Sequence, residues 1–242
     1  MFRPIEAMEI VCDERIRSAA DSSAADLSAE DVIPTFPMAF FDRLRMATDG
    51  AGITALVGAY GCPLECRLCI NPFTRHPRED GRPSFKRVTP AELVELARQD
   101  HLYYLATGGG IAFGGGEPLL HSAFLEAFRR VAPREWRIYA ETCLSIPSRH
   151  LPAVARAVDH FMVDVKDMDP AVYKAYTGRD NGLVKENLAA LLALVGKDRV
   201  TVRVPHIPGY NTDAHVAASI RELTAMGFCL FDEFTYKLPK RS

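Results

Sequence analysis

Short apolar runs alternate with amphipathic helical patterns from Ile53 onward, and the alternation continues almost to the C-terminus. This order is typical of parallel strands joined by helical crossovers. The pattern predicts six strands, at residues 53–59, 110–113, 136–140, 160–165, 200–207 and 228–234. The sequence therefore predicts an α/β fold with one parallel sheet.

Helical patterns occupy the segments between these strands, at residues 90–99, 123–131, 151–158, 184–195 and 212–226. The first begins with Thr89 as its N-cap and Pro90 at its first helical position, and both residue types are preferred there. Right-handed helical crossovers build either a doubly wound sheet or a complete or partial (β/α) barrel. The pattern alone does not choose between these architectures.

The chain before the first predicted strand has a different composition. Residues 18–31 are small and acidic and almost free of large apolar side chains. Such a composition is typical of a solvated helix or a disordered connector. We therefore assign residues 1–47 to an N-terminal extension and residues 48–242 to the α/β domain.

Composition and charge narrow the classes of function. The 242 residues are 48% hydrophobic and carry 29 Lys and Arg against 31 Asp and Glu, a formal net charge of −2. This balance provides no basic surface for nucleic acid or for an anionic membrane. No apolar run approaches the roughly 20 residues of a membrane span, and charges occupy the positions of a signal peptide's apolar core. We therefore expect a cytoplasmic, monomeric protein that binds neither nucleic acid nor membrane.

Three of the six cysteines, Cys62, Cys66 and Cys69, form a CxxxCxxC motif after the first predicted strand. Clustered thiols in a cytoplasmic protein indicate metal or redox chemistry. The spacing also fits three buried cysteines on one helix face. Glu65 and Arg67 interleave with the cysteines, however, and favour a polar loop over an apolar stripe.

Zinc and an iron–sulfur cluster are the two candidate metals for this motif. Structural zinc takes four ligands, and His76 is the nearby candidate for the fourth. Three thiolates fit a [4Fe–4S] cluster differently, because they leave one iron open to an exogenous ligand. The motif therefore favours a cluster whose open iron binds a substrate or cofactor.

A second motif, FGGGEP at residues 113–118, ends the second predicted strand. Enzymes with parallel sheets build their sites at this end of the strands. Glycines let the backbone approach a ligand closely, and the Glu117 carboxylate beside them is suited to an ammonium group. Alone, the motif is equally consistent with a simple turn between a strand and a helix.

Together, the two motifs resemble the radical S-adenosylmethionine (radical SAM) superfamily. Further segments resemble its glycyl-radical-enzyme activating enzymes, such as pyruvate formate-lyase activating enzyme. These segments are DGAGI at 49–53, Asn71, MVDVKD at 162–167, YTG at 176–178, VKENL at 184–188, RVP at 203–205 and IPGYN at 207–211. The resemblance covers residues 49–237 in order and implies a partial (β/α)6 TIM-like barrel after the N-terminal extension.

The resemblance implies a [4Fe–4S] cluster held by the three cysteines of the motif. The amino and carboxylate groups of S-adenosylmethionine (SAM) would chelate the open iron, and the amino group would also meet Gly115, Gly116 and Glu117. SAM would be contacted further by Lys166, Arg203 and Ile207. A monovalent cation, Na⁺ or K⁺, would lie beside SAM on Glu141, Thr142, Met162 and Asp164.

The resemblance also implies the reaction. Flavodoxin or ferredoxin would reduce the cluster, and one electron passed to SAM would give methionine and a 5′-deoxyadenosyl radical. In the activating enzymes this radical abstracts a hydrogen atom from a glycine Cα of a partner glycyl radical enzyme. We therefore predict an anaerobic radical SAM oxidoreductase with a polypeptide substrate.

Two other functions stay open on sequence alone. A peptide-modifying radical enzyme, such as an epimerase acting on a precursor peptide, returns a hydrogen atom from a cysteine. Cys229 is the candidate donor, although its place in a predicted strand also fits a small buried residue. A non-catalytic iron–sulfur or zinc module would leave Glu117, Asp164 and Lys166 without a role.

Overall fold

A computed structural model describes residues 33–46, 48–76 and 84–236. Residues 1–32 of the predicted extension, with Cys12, lie outside the described residues. Within these ranges, eight strands form one sheet in the order β3-β1-β2-β4-β5-β6-β7-β8. The strands are β1 (Phe36–Met46), β2 (Ile53–Ala59), β3 (Lys86–Val88), β4 (Gly110–Gly115), β5 (Arg137–Thr142), β6 (His160–Asp164), β7 (Val200–His206) and β8 (Leu230–Thr235).

The six predicted strands correspond to β2 and β4–β8, which are all parallel. β1 and β3 are antiparallel additions that the sequence pattern does not predict. β1 lies within the predicted extension, so the sheet takes in eleven residues before position 48. The Arg43 guanidinium on β1 donates to both carboxylate oxygens of fully buried Asp100, at 2.7 and 2.6 Å. This ion pair fixes β1 to the helical layer.

Seven α-helices occur in the described ranges. They are α1 (Pro90–Arg98), α2 (His101–Thr107), α3 (Ser122–Val131), α4 (Leu151–Ala157), α5 (Pro170–Thr177), α6 (Gly182–Val195) and α7 (Asp213–Ala225). Thr89 caps α1 as predicted, in a capping box with Glu92. The pattern does not predict α2 and α5, because helices of seven and eight residues are too short to show a clear period. Among the described residues, no helix has both the length and the apolar character to cross a membrane.

Two apolar clusters lie on opposite faces of the sheet. The larger one packs the strands against the helices, with Phe113, Phe124 and Trp136 among its fully buried rings. The smaller one contains Leu56, Ala112, Tyr139 and Met162, from four neighbouring strands. The sheet ends at β3 and β8 and does not close. The fold is therefore a partial barrel, as predicted, and the smaller cluster lines its inner face.

Candidate active site

The C-terminal ends of β2 and β4 lead into the two motif loops, which lie against each other. The backbone N–H groups of Gly116 and Glu117 donate to the carbonyl oxygens of Ala59 and Gly61, at 2.9 and 2.8 Å. Gly115 has a φ of 84°, and a Cβ on Gly116 would collide with the Gly61 carbonyl. Glycine is therefore required for the close approach of these two loops.

The cysteine loop, residues 62–69, contains no helix, as the sequence predicts. The Glu65 N–H donates to the carbonyl oxygen of Thr177 at 2.9 Å, and the Arg67 N–H donates to that of Tyr176 at 3.1 Å. Both acceptors lie in the last turn of α5. Since Glu65 and Arg67 alternate with the cysteines, these two bonds hold the three half-buried thiols in place.

The thiols of the loop have different electrostatic surroundings. Burial raises the pKa of Cys66 to about 11. The pKa of Cys62 is lowered instead, chiefly by a hydrogen bond with the Cys143 thiol and against the effect of burial. The single thiol proton of Cys143 also faces the Glu117 carboxylate, at an S···O distance of 3.0 Å. A fourth cysteine therefore lies beside the predicted cluster ligands.

The donor set of the loop fits a [4Fe–4S] cluster, because three thiolates leave one iron open to an exogenous ligand. Among the described residues, no three His, Cys, Asp or Glu side chains are placed to share one metal ion. A [4Fe–4S] cube takes each of its thiolates on a different iron, so its ligands do not converge on one point. His76, the candidate fourth ligand for zinc, is exposed.

Glu117 is fully buried, and donors within the protein surround its carboxylate. One oxygen accepts from the Leu119 N–H at 3.1 Å, and the other accepts from the Cys143 N–H at 2.8 Å. The Thr142 hydroxyl lies 2.8 and 2.9 Å from the two oxygens. Burial raises the pKa of Glu117, and these hydrogen bonds oppose that shift. The carboxylate therefore ties the glycine turn to the end of β5.

Strand alternation places three charged side chains on the inner face. Glu141 follows Tyr139 by two residues on β5, and Asp164 follows Met162 by two on β6, so both point to the side of the smaller apolar cluster. Asp164 is in register with Arg203 on β7. The three side chains therefore lie one layer beyond the apolar cluster, towards the motif loops.

Arg203 joins several acceptors at this layer. Its guanidinium donates to Glu141 Oε1 and to the Thr48 carbonyl oxygen, both at 2.7 Å, and it lies 3.3 Å from Asp232. Burial opposes the charge of Arg203, yet the Glu141 carboxylate raises its pKa above the ordinary value. Arg203 is therefore a fixed cation between β5 and β8.

Lys166 is the second buried cation of the site, with 8% of its surface exposed. Its Nζ lies 2.6 Å from Asp164 Oδ2 and donates to the Tyr236 phenol oxygen at 2.8 Å. Burial alone would lower the pKa of Lys166, but the Asp164 carboxylate raises it well above the ordinary value. Lys166 therefore stays protonated, and Cys66 is among its electrostatic neighbours.

The remaining predicted site residues have varied surroundings. The Thr142 hydroxyl is used inside the protein, because it bonds Glu117 and also accepts from the Leu144 N–H at 2.9 Å. Met162 lies in the smaller apolar cluster, and Ile207 is buried.

Cys229 is exposed and precedes β8, at the end of the strands away from the motif loops. Its place is therefore neither a buried core position nor part of the site.

Sequence reasoning misses three side chains at this site. They are Cys143, Tyr173 on α5 and Tyr236 after β8. Cys143 stands next to the predicted Thr142, so its position on the chain gives a weak signal. The two tyrosines reach the site only through the folding of α5 and β8, and nothing in the local sequence marks them.

Two buried polar atoms at the site lack a partner among the described residues, Asp164 Oδ1 and the Tyr173 phenol oxygen. Unpaired buried polar atoms are costly and in native proteins usually serve a ligand, ion or water. Together with the three thiols and the glycine turn, they fit a site that holds an iron–sulfur cluster and a polar cofactor.

Comparisons with known proteins agree with this geometry. The sequence profile of the radical SAM superfamily matches residues 56–222, more than half of the chain. The isethionate sulfite-lyase activating enzyme of Nitratidesulfovibrio vulgaris is 29% identical over 234 aligned positions, which cover 73% of this chain and 76% of the relative. The pyruvate formate-lyase-activating enzyme of Staphylococcus aureus is 30% identical over 182 positions, which cover 68% and 66%.

Solved structures show the same fold at low sequence identity. Streptococcus suis SuiB bound to S-adenosylmethionine has a TM-score of 0.56 at 12% identity, over 76% of this chain and 40% of SuiB. A radical SAM methyltransferase from Sphaerobacter thermophilus has a TM-score of 0.52 at 18% identity, over 93% and 71%. With the profile match over residues 56–222, these findings show that the chain belongs to the radical SAM superfamily.

Proposed function

We propose that this chain is a glycyl-radical-enzyme activating enzyme, which abstracts a hydrogen atom from a glycine Cα of a partner enzyme. The observation that carries the proposal is its similarity to curated activating enzymes over 73% and 68% of its length. Membership of the radical SAM superfamily implies a [4Fe–4S] cluster and SAM. When bound, these groups supply the one-electron cleavage that yields methionine and a 5′-deoxyadenosyl radical.

The chain's own residues bind and orient these groups. We assign Cys62, Cys66 and Cys69 to the cluster. We assign the amino group of SAM to the backbone at Gly115 and Gly116. The close contact of these glycines with residues 58–61 holds that backbone in place, because a side chain there would collide with the neighbouring loop. Glu117 supports the glycine turn, since hydrogen-bond donors of the protein itself occupy its carboxylate.

Charged residues of the inner face orient the rest of SAM. Lys166 and Arg203 supply two fixed positive charges for its carboxylate and polar groups, and each is anchored by an acidic partner. Asp164 contributes Oδ1, which lacks a partner within the described part of the chain. Ile207 provides a buried apolar wall, which we assign to the adenine side.

We propose further that a monovalent cation, Na⁺ or K⁺, binds with Glu141, Thr142, Met162 and Asp164. The unpaired Asp164 Oδ1 supports this proposal, because a bound cation is often the largest local charge in a site. SAM cleavage should therefore be faster in potassium or sodium buffer than in tetramethylammonium buffer of equal ionic strength. Equal rates in the three buffers would exclude the cation.

The reaction needs an electron donor and a partner. We propose flavodoxin or ferredoxin as the donor and a glycyl radical enzyme as the polypeptide substrate, with the activating enzyme acting as a monomer in the cytoplasm. The two described thiols outside the loop lie apart in the fold, because Cys143 adjoins the cysteine loop and Cys229 lies at the other end of the strands. They do not form a second cluster site.

The test is electron paramagnetic resonance (EPR) spectroscopy of a partner enzyme after anaerobic incubation with the reduced, cluster-loaded chain and SAM. Pyruvate formate-lyase and isethionate sulfite-lyase are the first partners to try, together with any glycyl radical enzyme encoded beside the gene. A stable glycyl doublet should appear with one of them and should be absent with Cys66→Ala. Absence of the doublet with all partners, despite SAM cleavage, would contradict the activase proposal.

Cys229→Ser tests the alternative of a peptide epimerase in which Cys229 returns the hydrogen atom. An activase needs no protein hydrogen donor, because the glycyl radical is its product, so the variant should keep both SAM cleavage and partner radical formation. The exposure of Cys229 makes a loss of stability small. If the variant still made 5′-deoxyadenosine but lost an inverted peptide product, the epimerase would be the correct function.

A further inference from the structure

Tyr173 is a buried tyrosine whose hydroxyl group has no assigned function. The residue is 1% exposed, and its phenol oxygen has no hydrogen-bond partner among the described residues. A buried hydroxyl without a partner costs free energy, so such a group in a native protein usually meets a bound ligand or water.

The position of Tyr173 on α5 brings it to the cysteine loop. The last turn of α5 accepts the two backbone hydrogen bonds from Glu65 and Arg67 that hold this loop. Cys62 and Cys66 pack against the same apolar cluster as the tyrosine ring. The backbone bonds place the end of α5 at the cysteine loop, and Tyr173 packs in the same apolar cluster as Cys62 and Cys66.

The electrostatic surroundings of the hydroxyl agree with this placement. Burial raises the pKa of Tyr173 above its ordinary value, and the thiols of Cys143, Cys66 and Cys62 raise it further, while Lys166 lowers it. A tyrosine phenol ordinarily carries its proton at neutral pH, so the hydroxyl has a proton to donate. The three thiols and the Lys166 ammonium are its electrostatic neighbours.

We propose that the Tyr173 hydroxyl donates a hydrogen bond to the iron–sulfur cluster, at a cysteine sulfur or a cluster sulfide, and raises its reduction potential. Hydrogen bonds to the sulfurs are one of the ways in which a protein sets the potential of such a cluster. The donor stabilises the reduced form more, because that form carries the additional negative charge. This inference rests on the cluster but not on the identity of the partner polypeptide.

The experiment compares Tyr173→Phe with Tyr104→Phe. Tyr104 is a matched control, because it is also fully buried and its phenol oxygen is unpaired in the described part of the chain, but its charged neighbours are Asp100 and Arg43. Both variants are loaded with cluster, and the reduction potential is measured without SAM by EPR-monitored redox titration. Iron and sulfide analysis checks that each variant carries the cluster.

Tyr173→Phe should shift the potential to a more negative value. The ratio of oxidised to reduced cluster at a fixed potential should rise about threefold to tenfold, and tenfold corresponds to 59 mV for a one-electron couple. Tyr104→Phe should leave the potential unchanged. Equal potentials in Tyr173→Phe and the unsubstituted protein, or equal shifts in both variants, would overturn the proposal.

A second variant covers the case in which Tyr173→Phe does not load. Replacement of Tyr173 by a difluorotyrosine keeps the ring and the hydroxyl but makes the hydroxyl a stronger donor. The potential should then shift in the positive direction, and an unchanged potential would overturn the proposal. Both measurements use no partner enzyme, so a failed activase proposal and a failed Tyr173 proposal give different results.

Discussion

Glu117, which is fully buried, and Asp164, which is half-buried, are two carboxylates of the same site with opposite surroundings. Each oxygen of Glu117 accepts at least one hydrogen bond from Thr142, Cys143 or Leu119. Asp164 uses Oδ2 for Lys166, whereas its Oδ1 has no partner within the described ranges. The Glu117 carboxylate, after β4, therefore stabilises the fold. The Asp164 carboxylate, at the end of β6, remains available to a ligand.

This difference indicates that the two carboxylates have different roles in the site. The glycine turn must stay close against the cysteine loop, and Glu117 supplies hydrogen bonds that stabilise it. In the proposed function the inner face holds SAM, and Asp164 Oδ1 is an acceptor without a partner among the described residues. Amide substitutions test this difference, because Asn and Gln keep the shape of the carboxylate but replace one acceptor oxygen by a donor.

The largest effect is expected for Glu117→Gln. Both carboxylate oxygens face donors, so neither orientation of the amide avoids a contact between two donors. The free energy of unfolding should fall by about 3 kcal/mol, as for the loss of charge-assisted hydrogen bonds in a buried site. Anaerobic chemical denaturation of the cluster-loaded protein measures it. The control Glu135→Gln, on an exposed carboxylate, should change it by less than about 0.5 kcal/mol.

Asp164→Asn should weaken SAM binding about tenfold, which corresponds to roughly 1.4 kcal/mol. The Asn oxygen can still accept from Lys166 while its amide turns to the unpaired side, so the unfolding free energy should change less than in Glu117→Gln. The variant should also lose any dependence of SAM cleavage on potassium or sodium. Equilibrium binding of SAM under anaerobic conditions measures the affinity.

Asp198→Asn provides the control for this experiment. Asp198 is exposed and precedes β7, at the end of the strands opposite to the site. Its substitution should leave SAM affinity within about twofold. Equal affinities of Asp164→Asn and the unsubstituted protein would show that the free oxygen of Asp164 does not serve SAM or a cation.

Thr142→Val should lower the unfolding free energy less than Glu117→Gln does. The valine lacks the hydroxyl that bonds Glu117 and accepts from the Leu144 N–H, so the unfolding free energy should fall by about 1 to 2 kcal/mol. Thr142→Ser keeps the hydroxyl and should recover most of this loss. If both variants had the same unfolding free energy as the unsubstituted protein, the hydrogen bond between the Thr142 hydroxyl and Glu117 would not stabilise the fold.

The sequence predicts the parallel strands well, because each is a short apolar run with a helical crossover beside it. β1 is harder to predict, because its half-exposed, charged sequence acquires strand character only by pairing with β2 and β3. The cysteines and the glycine turn are contiguous motifs and are visible directly. Tyr173 and Tyr236 come from distant segments, so only the tertiary structure brings them to the site.

Transfer of deuterium tests the central claim most directly. A partner glycyl radical enzyme produced with α-deuterated glycine is incubated anaerobically with the reduced, cluster-loaded chain and SAM, and the 5′-deoxyadenosine is analysed by mass spectrometry. The activase account predicts 5′-deoxyadenosine that carries one deuterium atom, together with a glycyl radical on the partner. Unlabelled 5′-deoxyadenosine, formed at the same rate with and without each partner, would contradict it.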